Sequence, residues 1–205
     1  DHGLHTRGTL EAYKRMRSKQ KWLEVHGQKK WAYYYRPANV GKQRQFFDHF
    51  LKAPDTLVPA WPKVLIEVRE RADVGEFRAE KEWPPARTKF LKLYLDAAHG
   101  EMGGTPSAAA SEMRYEPRSA DGRAVFDHTF AEDTELTGHA KLRLWVEAVG
   151  SNDMDLFVAL QKIDRNGERV PFVFYALLEN GPVALGWLRV SHREIDPARS
   201  TPQQP

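Results

Sequence analysis

Cysteine is absent from the 205 residues, which removes disulfides, thiolate metal ligands and a cysteine nucleophile together. No apolar run approaches the ~18 residues that a membrane-crossing helix needs. No internal repeat occurs. An initiating Met is also missing: the chain opens at Asp1 and reads at once as the interior of a folded unit, so a signal peptide would lie upstream. A cytoplasmic placement is the expectation, with no membrane partner. Acidic residues are scarce at the start. Residues 1–53 hold twelve Lys and Arg against four Asp and Glu, whereas the remainder holds nineteen against twenty-four. A basic segment of this kind can mark a nucleic-acid arm. Here the basic residues are interleaved with apolar ones at core-like spacing, which describes the solvated face of a folded piece. No nucleic-acid partner is expected.

What is present is the mix of a soluble globular protein, 41% hydrophobic and 29% charged. The length suits one large domain, or one domain plus a piece of another. Leu10, Tyr13 and Met16 predict a helix over residues 9–17. Trp22, Leu23 and Val25 predict a short strand over 21–25, ended by His26-Gly27. Phe46, Phe47, Phe50 and Leu51 predict a second helix over 39–51, with Asn39 as its cap. Pro54, Pro59 and Pro62 then break the pattern, and a linker is expected at 54–60.

Beyond Pro62 the apolar period falls to two. Val64, Ile66 and Val68 alternate with Leu65, Glu67 and Arg69, and the same holds for residues 91–95, 142–146 and 156–160. Such alternation is what a half-buried antiparallel strand requires. Residues 164–167 carry an Asn-Gly hairpin signal, and residues 187–191 read as a further strand. A short helix is conceivable at 107–110. The expected class is mainly β, a sandwich over 61–196, followed by a polar tail over 197–205.

For chemistry, His26 stands out because it directly follows a strand and Gly27 allows a tight exit. A loop with Asp1, then a helix, a strand and His26, fits an acid–histidine pair on neighbouring strand ends. In such a pair the acid orients one imidazole nitrogen and the other nitrogen moves the proton. The same residues also fit a surface Asp and a hydrogen-bonded loop His; pattern alone leaves both open.

A resemblance narrows the choice. Residues 1–9, Asp-His-Gly-Leu-His-Thr-Arg-Gly-Thr, resemble the acid loop of bacterial hydrolases of the cocaine-esterase (CocE/NonD) and X-Pro dipeptidyl-peptidase type. Residues 21–27, Lys-Trp-Leu-Glu-Val-His-Gly, followed by Lys29-Lys30-Trp31, resemble the strand and loop of their catalytic histidine. Residues 43–51 resemble the last helix of the hydrolase domain. Trp83-Pro84-Pro85, residues 136–158 and residues 186–193 resemble the jelly-roll, galactose-binding-like sandwich that follows it. The resemblance implies a carboxy-terminal part of a serine hydrolase: residues 1–53 the end of the α/β-hydrolase domain, Asp1 the triad acid, His26 the triad histidine. It implies ester, α-amino ester or X-Pro peptide substrates, the remainder of the hydrolase domain as partner, and no cofactor or metal. No Gly-x-Ser-x-Gly elbow occurs in the chain. The nucleophile is therefore expected on a preceding segment, the sandwich is expected to lack its last strands, and the chain alone is expected to be inactive.

Other residues invite plainer readings. His2 and His5 flank the acid loop as loop polarity. Asp153 and Asp155 lack the rest of a calcium loop and suit a turn or strand edge. Trp31, Tyr33, Tyr34 and Tyr35 suit packing between the two pieces. His192-Arg193-Glu194 suits a salt-bridge network, and His49, His99, His128 and His139 have no ligand spacing. The alternative function is a jelly-roll binding module stacking sugars on Trp83, Trp145 and Trp187.

Overall fold

The computed structural model describes residues 5–52, 57–174 and 179–201. Asp1, His2, the first part of the expected linker and the end of the tail lie outside the described residues. The chain groups into two compact units, Asp1–Ala86 with Gly138–Pro205, and Arg87–Thr137.

In the first unit, helix α1 (Thr6–Arg15) leads to strand β1 (Leu23–Val25). Helices α2 (Lys30–Tyr34), α3 (Pro37–Leu51) and the single turn α4 (Leu57–Ala60) follow. The chain then returns as β2 (Val64–Arg71), which runs parallel to β1, and β3 (Val74–Glu80), which is antiparallel to β2. The strand order is β1-β2-β3. A parallel pair needs a long crossover, and α2 to α4 supply it. Leu23 pairs with Val64 and Val25 with Ile66, so the sheet runs across the stretch where a linker was expected.

Helix α3 starts two residues before the expected position, because Pro37 has its fixed φ and missing N–H in the first turn, where both suit a helix. Asn39 is not its cap. Its side-chain amide donates to the Tyr33 carbonyl at 2.7 Å and closes the corner between α2 and α3.

Side chains alternate along the strands, so the sheet has two distinct faces. On one face Leu23, Val64 and Ile66 are buried with Tyr13 of α1, and Leu10, Val25, Val68 and Trp83 pack against them. The other face carries Glu24, Glu67, Arg69 and Phe77, the last directly opposite Glu67. Helices α2 and α3 lie over that face: Trp22 meets Phe46 and Phe50 of α3 at ring-centroid distances of 6.2 and 6.4 Å.

Also in this unit, β6 (Asp155–Leu160) pairs antiparallel with β9 (Ala184–Arg189). Leu156, Val158 and Leu160 are half-buried and Phe157 is 82% exposed, the alternation expected of them. β7 (Lys162–Ile163) and β8 (Arg169–Val170) form the expected Asn-Gly hairpin. Gly167 takes φ 81°, and the Asp164 carboxylate accepts from the Asn166 and Glu168 N–H groups. A 3₁₀ turn (Val190–His192) ends β9, where a strand to residue 191 was expected.

Residues 142–146 alternate in sequence yet form no strand. Leu142, Leu144 and Val146 stay exposed and no described strand pairs with them. Without a partner for its N–H and C=O groups an extended segment gains no ladder. The second unit holds β4 (Tyr94–Asp96) and β5 (Glu101–Gly103), antiparallel. Asp127 bridges to Gly100 and Met102 through backbone hydrogen bonds of 2.8 and 2.7 Å. Residues 107–110 are not helical.

Candidate functional site

His26 leaves the carboxy end of β1 on the polar face of the sheet. Three features hold it. Its ring stacks on Tyr33 of α2, with centroids 3.7 Å apart and planes 19° from parallel. The same Tyr33 ring also meets Phe77 of β3, at a centroid distance of 6.2 Å. The Tyr33 hydroxyl donates to Glu24 Oε1 at 2.5 Å, and Glu24 Oε2 is paired with Lys42 of α3. Burial, aided by the Glu24 carboxylate, holds the Tyr33 hydroxyl protonated well above the usual phenol range.

The loop after His26 rests on β2. The Gly27 N–H donates to Glu67 Oε2 at 2.7 Å, and the Gln28 side-chain amide donates to Glu67 Oε1 at 3.3 Å. Gly27 lies so close to Arg69 that a Cβ there would sit 1.9 Å from Arg69 Cδ. Any larger residue there would have to push the Arg69 side chain aside. The Arg69 guanidinium in turn lies over the Phe172 ring at 4.8 Å.

Burial lowers the His26 pKa from its ordinary 6.5, and the nearby Glu67 and Glu24 carboxylates oppose part of that shift. The imidazole is therefore neutral at neutral pH, the form a general base needs. Its Nδ1 accepts the Gln28 backbone N–H at 3.2 Å. This places the ring proton on Nε2.

The other sequence candidates are spread elsewhere. His5 precedes α1 and meets Lys30 Nζ at 3.2 Å. Trp31, Tyr34 and Tyr35 are exposed and pack on one another, so of the aromatic run only Tyr33 reaches the sheet. Asp153 accepts from the Ser191 hydroxyl and N–H at 2.6 and 3.0 Å, and Asp155 makes a two-point pair with Arg189 at 2.8 Å. Both carboxylates are thus engaged in fastening the start of β6 to the end of β9. Among the described residues, no three His, Cys, Asp or Glu side chains gather as a metal-ligand set. His99 pairs with Asp96, His128 with the Met102 carbonyl, and His139 lies edge-on to Trp83. Arg193 donates to the Val190 carbonyl. Of the three tryptophans considered for sugar stacking, Trp83 packs on the core, while Trp145 and Trp187 are exposed.

Sequence reasoning missed Glu24, Glu67, Arg69 and Phe77 as parts of the His26 setting. The one visible signal was polar Glu67 and Arg69 alternating with apolar core positions, which placed them on the second face.

The X-Pro dipeptidyl-peptidase C-terminal non-catalytic domain matches residues 58–205. Two crystal structures of a CocE/NonD family hydrolase from Staphylococcus aureus superpose on 99% of the chain. One is 40% identical with a TM-score of 0.94, the other 37% identical with a TM-score of 0.89. The chain spans 37% and 36% of the length of those two structures. No curated protein matches it. The expected mainly-β sandwich class is borne out. No helix among the described residues is long and apolar enough to cross a membrane.

Proposed function

Because the chain belongs to the X-Pro dipeptidyl-peptidase C-terminal domain family and is similar along its length to a CocE/NonD hydrolase, we propose that it is the carboxy-terminal part of a serine hydrolase whose triad histidine is His26. The observation that carries this is the seating of His26. It is a half-buried, neutral imidazole at a strand's carboxy end, held by a stacked ring and followed by a glycine packed closely on Arg69.

In this reading Asp1 is the triad acid, the first fifty-three residues close the hydrolase domain, and the serine comes from a preceding segment. His26 takes the serine proton as Oγ attacks the substrate carbonyl. It then hands that proton to the departing alcohol or amine, and water clears the acyl-enzyme by the same route. The substrate class is acyl esters, α-amino esters or X-Pro peptides. Nδ1 must then donate to the acid, whereas here it accepts from Gln28. A half-turn of the imidazole about Cβ–Cγ frees Nδ1 and keeps the ring plane, so the Tyr33 stack survives; the ring proton must also pass from Nε2 to Nδ1 by exchange with water, which leaves Nε2 free to take the serine proton.

The test is p-nitrophenyl acetate hydrolysis. The chain alone should show no turnover. The full-length protein should turn over, and H26A should lower its kcat by about 10⁴-fold or more. Turnover by the isolated chain that disappears in H26A would refute the inactive-fragment reading. Unchanged turnover in full-length H26A would refute His26 as the base.

A further inference from the structure

We propose that Glu67, a residue inside the segment that matches the non-catalytic domain, is the positioning residue that fastens the His26 loop in its working place. The inference rests on the reading of His26 as the triad histidine.

The geometry is specific. Both Glu67 carboxylate oxygens are used, and by the two residues that immediately follow His26: Oε2 takes the Gly27 N–H and Oε1 the Gln28 amide. A charged acceptor strengthens such bonds; the one from Gly27 is short at 2.7 Å and the one from Gln28 is long at 3.3 Å. Holding Gly27 fixes the carbonyl side of His26 itself, because the peptide plane joins the two. Arg69, two residues on along the same face of β2, fills the space beneath Gly27, so the loop has nowhere to sink. Phe77, opposite Glu67 on β3, also touches the Tyr33 ring that covers His26, at 6.2 Å. The backbone beside His26 is therefore located from strand β2, while its ring is held by Tyr33 of α2, which Glu24 and Phe77 of β3 contact in turn. A domain named non-catalytic thus supplies the floor on which the base stands.

A second consequence is electrostatic. Among the described residues, the charged and titratable groups around His26 include Glu24 on β1, Tyr33 on α2 with the Arg36 guanidinium over its ring, Lys42 on α3 paired with Glu24, and Glu67 and Arg69 on β2. Glu67 favours the protonated ring, so its removal makes the ring a weaker base.

The experiment uses the full-length protein with p-nitrophenyl acetate, comparing wild type, E67A, E67Q and H26A by kcat, KM, the pH profile of kcat/KM and the thermal midpoint. E67A should lower kcat by about 10- to 100-fold, the range for a base displaced by a fraction of an ångström to one ångström, with KM changed much less. E67Q keeps an acceptor oxygen for Gly27 and should lose less kcat. Its acidic limb should move to lower pH, because the neutral side chain no longer favours the imidazolium. If H26A abolishes turnover while a folded E67A keeps wild-type kcat and limb, the positioning role is wrong and the triad reading stands. If E67A does not fold, an unmoved limb in E67Q overturns the proposal. If H26A retains turnover, the triad reading itself falls, and this inference with it.

Discussion

Replacing Gly27 by Ala tests the close approach beneath His26 without backbone complications. Gly27 does not occupy the left-handed region, so alanine brings no φ penalty and the cost is steric. The new methyl would sit 1.9 Å from Arg69 Cδ, 2.9 Å from Nε and 3.1 Å from Cγ. Carbon atoms rest about 3.5–4 Å apart, so Cδ must move by roughly 1.5 Å or more. Moving it lifts the guanidinium from the Phe172 ring, a contact worth about 0.5–2 kcal/mol. Overpacking of the remaining stem adds about 1–3 kcal/mol. Loss of glycine's freedom in the unfolded chain returns about 0.4–1 kcal/mol. The net expectation is destabilisation by about 0.5–4.5 kcal/mol, or a thermal midpoint lowered by roughly 1–18 °C. Tryptophan fluorescence follows it, since Trp22 and Trp61 lie against α3 in the same unit. R69A removes the atoms that collide. The G27A/R69A double variant should therefore be more stable than the sum of the two single losses predicts, by about 1 kcal/mol or more. Additive losses, or a G27A protein as stable as wild type, would refute the seating of the loop on Arg69.

Val64 is fully buried between Leu23, Tyr13 and Ile66, so V64A should cost about 2–3 kcal/mol from lost burial plus the cavity, whereas changing the 82% exposed Phe157 to Ser should shift urea denaturation of this chain by no more than about 0.5 kcal/mol. Burial lowers the pKa of His26 and of His139 from 6.5, so the unfolded chain takes up their protons first and stability should fall as pH drops below 6.5 toward their folded pKa values. His99 is raised by Asp96 and acts in the opposite sense, which makes an H99Q background the clean one for thermal midpoints at pH 5 and 7.5. A midpoint that does not change between those pH values in H99Q would contradict the buried, neutral state of both rings.

How much of this was legible depends on how local the cause is. Helices α1 and α3 and strand β1 were visible because their apolar spacing is a property of neighbouring residues. Helix α2 was not, since its five residues carry a tryptophan and two tyrosines, rings that favour strands in isolation and show no helical stripe. β3 was hidden for a different reason. It lies at the end of the sheet order, its residues are mostly exposed, and Phe77 is its one large ring. Its hairpin turns through Asp73 at φ 57° instead of through an Asn-Gly pair. The reverse error at 142–146 has the same root. Alternation reports a possible face, but a strand also needs a neighbour, and neighbours are set by distant sequence.

The same reasoning explains why the base could be picked out and its support could not. His26 is marked by what lies next to it, a strand before and a glycine after. Glu67 and Phe77 reach it only because β2 returns parallel to β1 after thirty-eight residues of crossover, a pairing with no local signature. That pairing also bears on how the chain can be divided. Cutting near residues 54–60 would separate Leu23 and Tyr13 from Val64 and Ile66, each of whose burial is worth about 1.5–3 kcal/mol. It would separate Gly27 from Glu67 as well, leaving a charged carboxylate without its donors. Both losses fall on the same few strands, so the stability of this sheet and the placement of His26 are coupled. A substitution that loosens β2 should be felt at the base before it is felt in the β6–β9 ribbon, whose ladder shares no strand with β1 or β2.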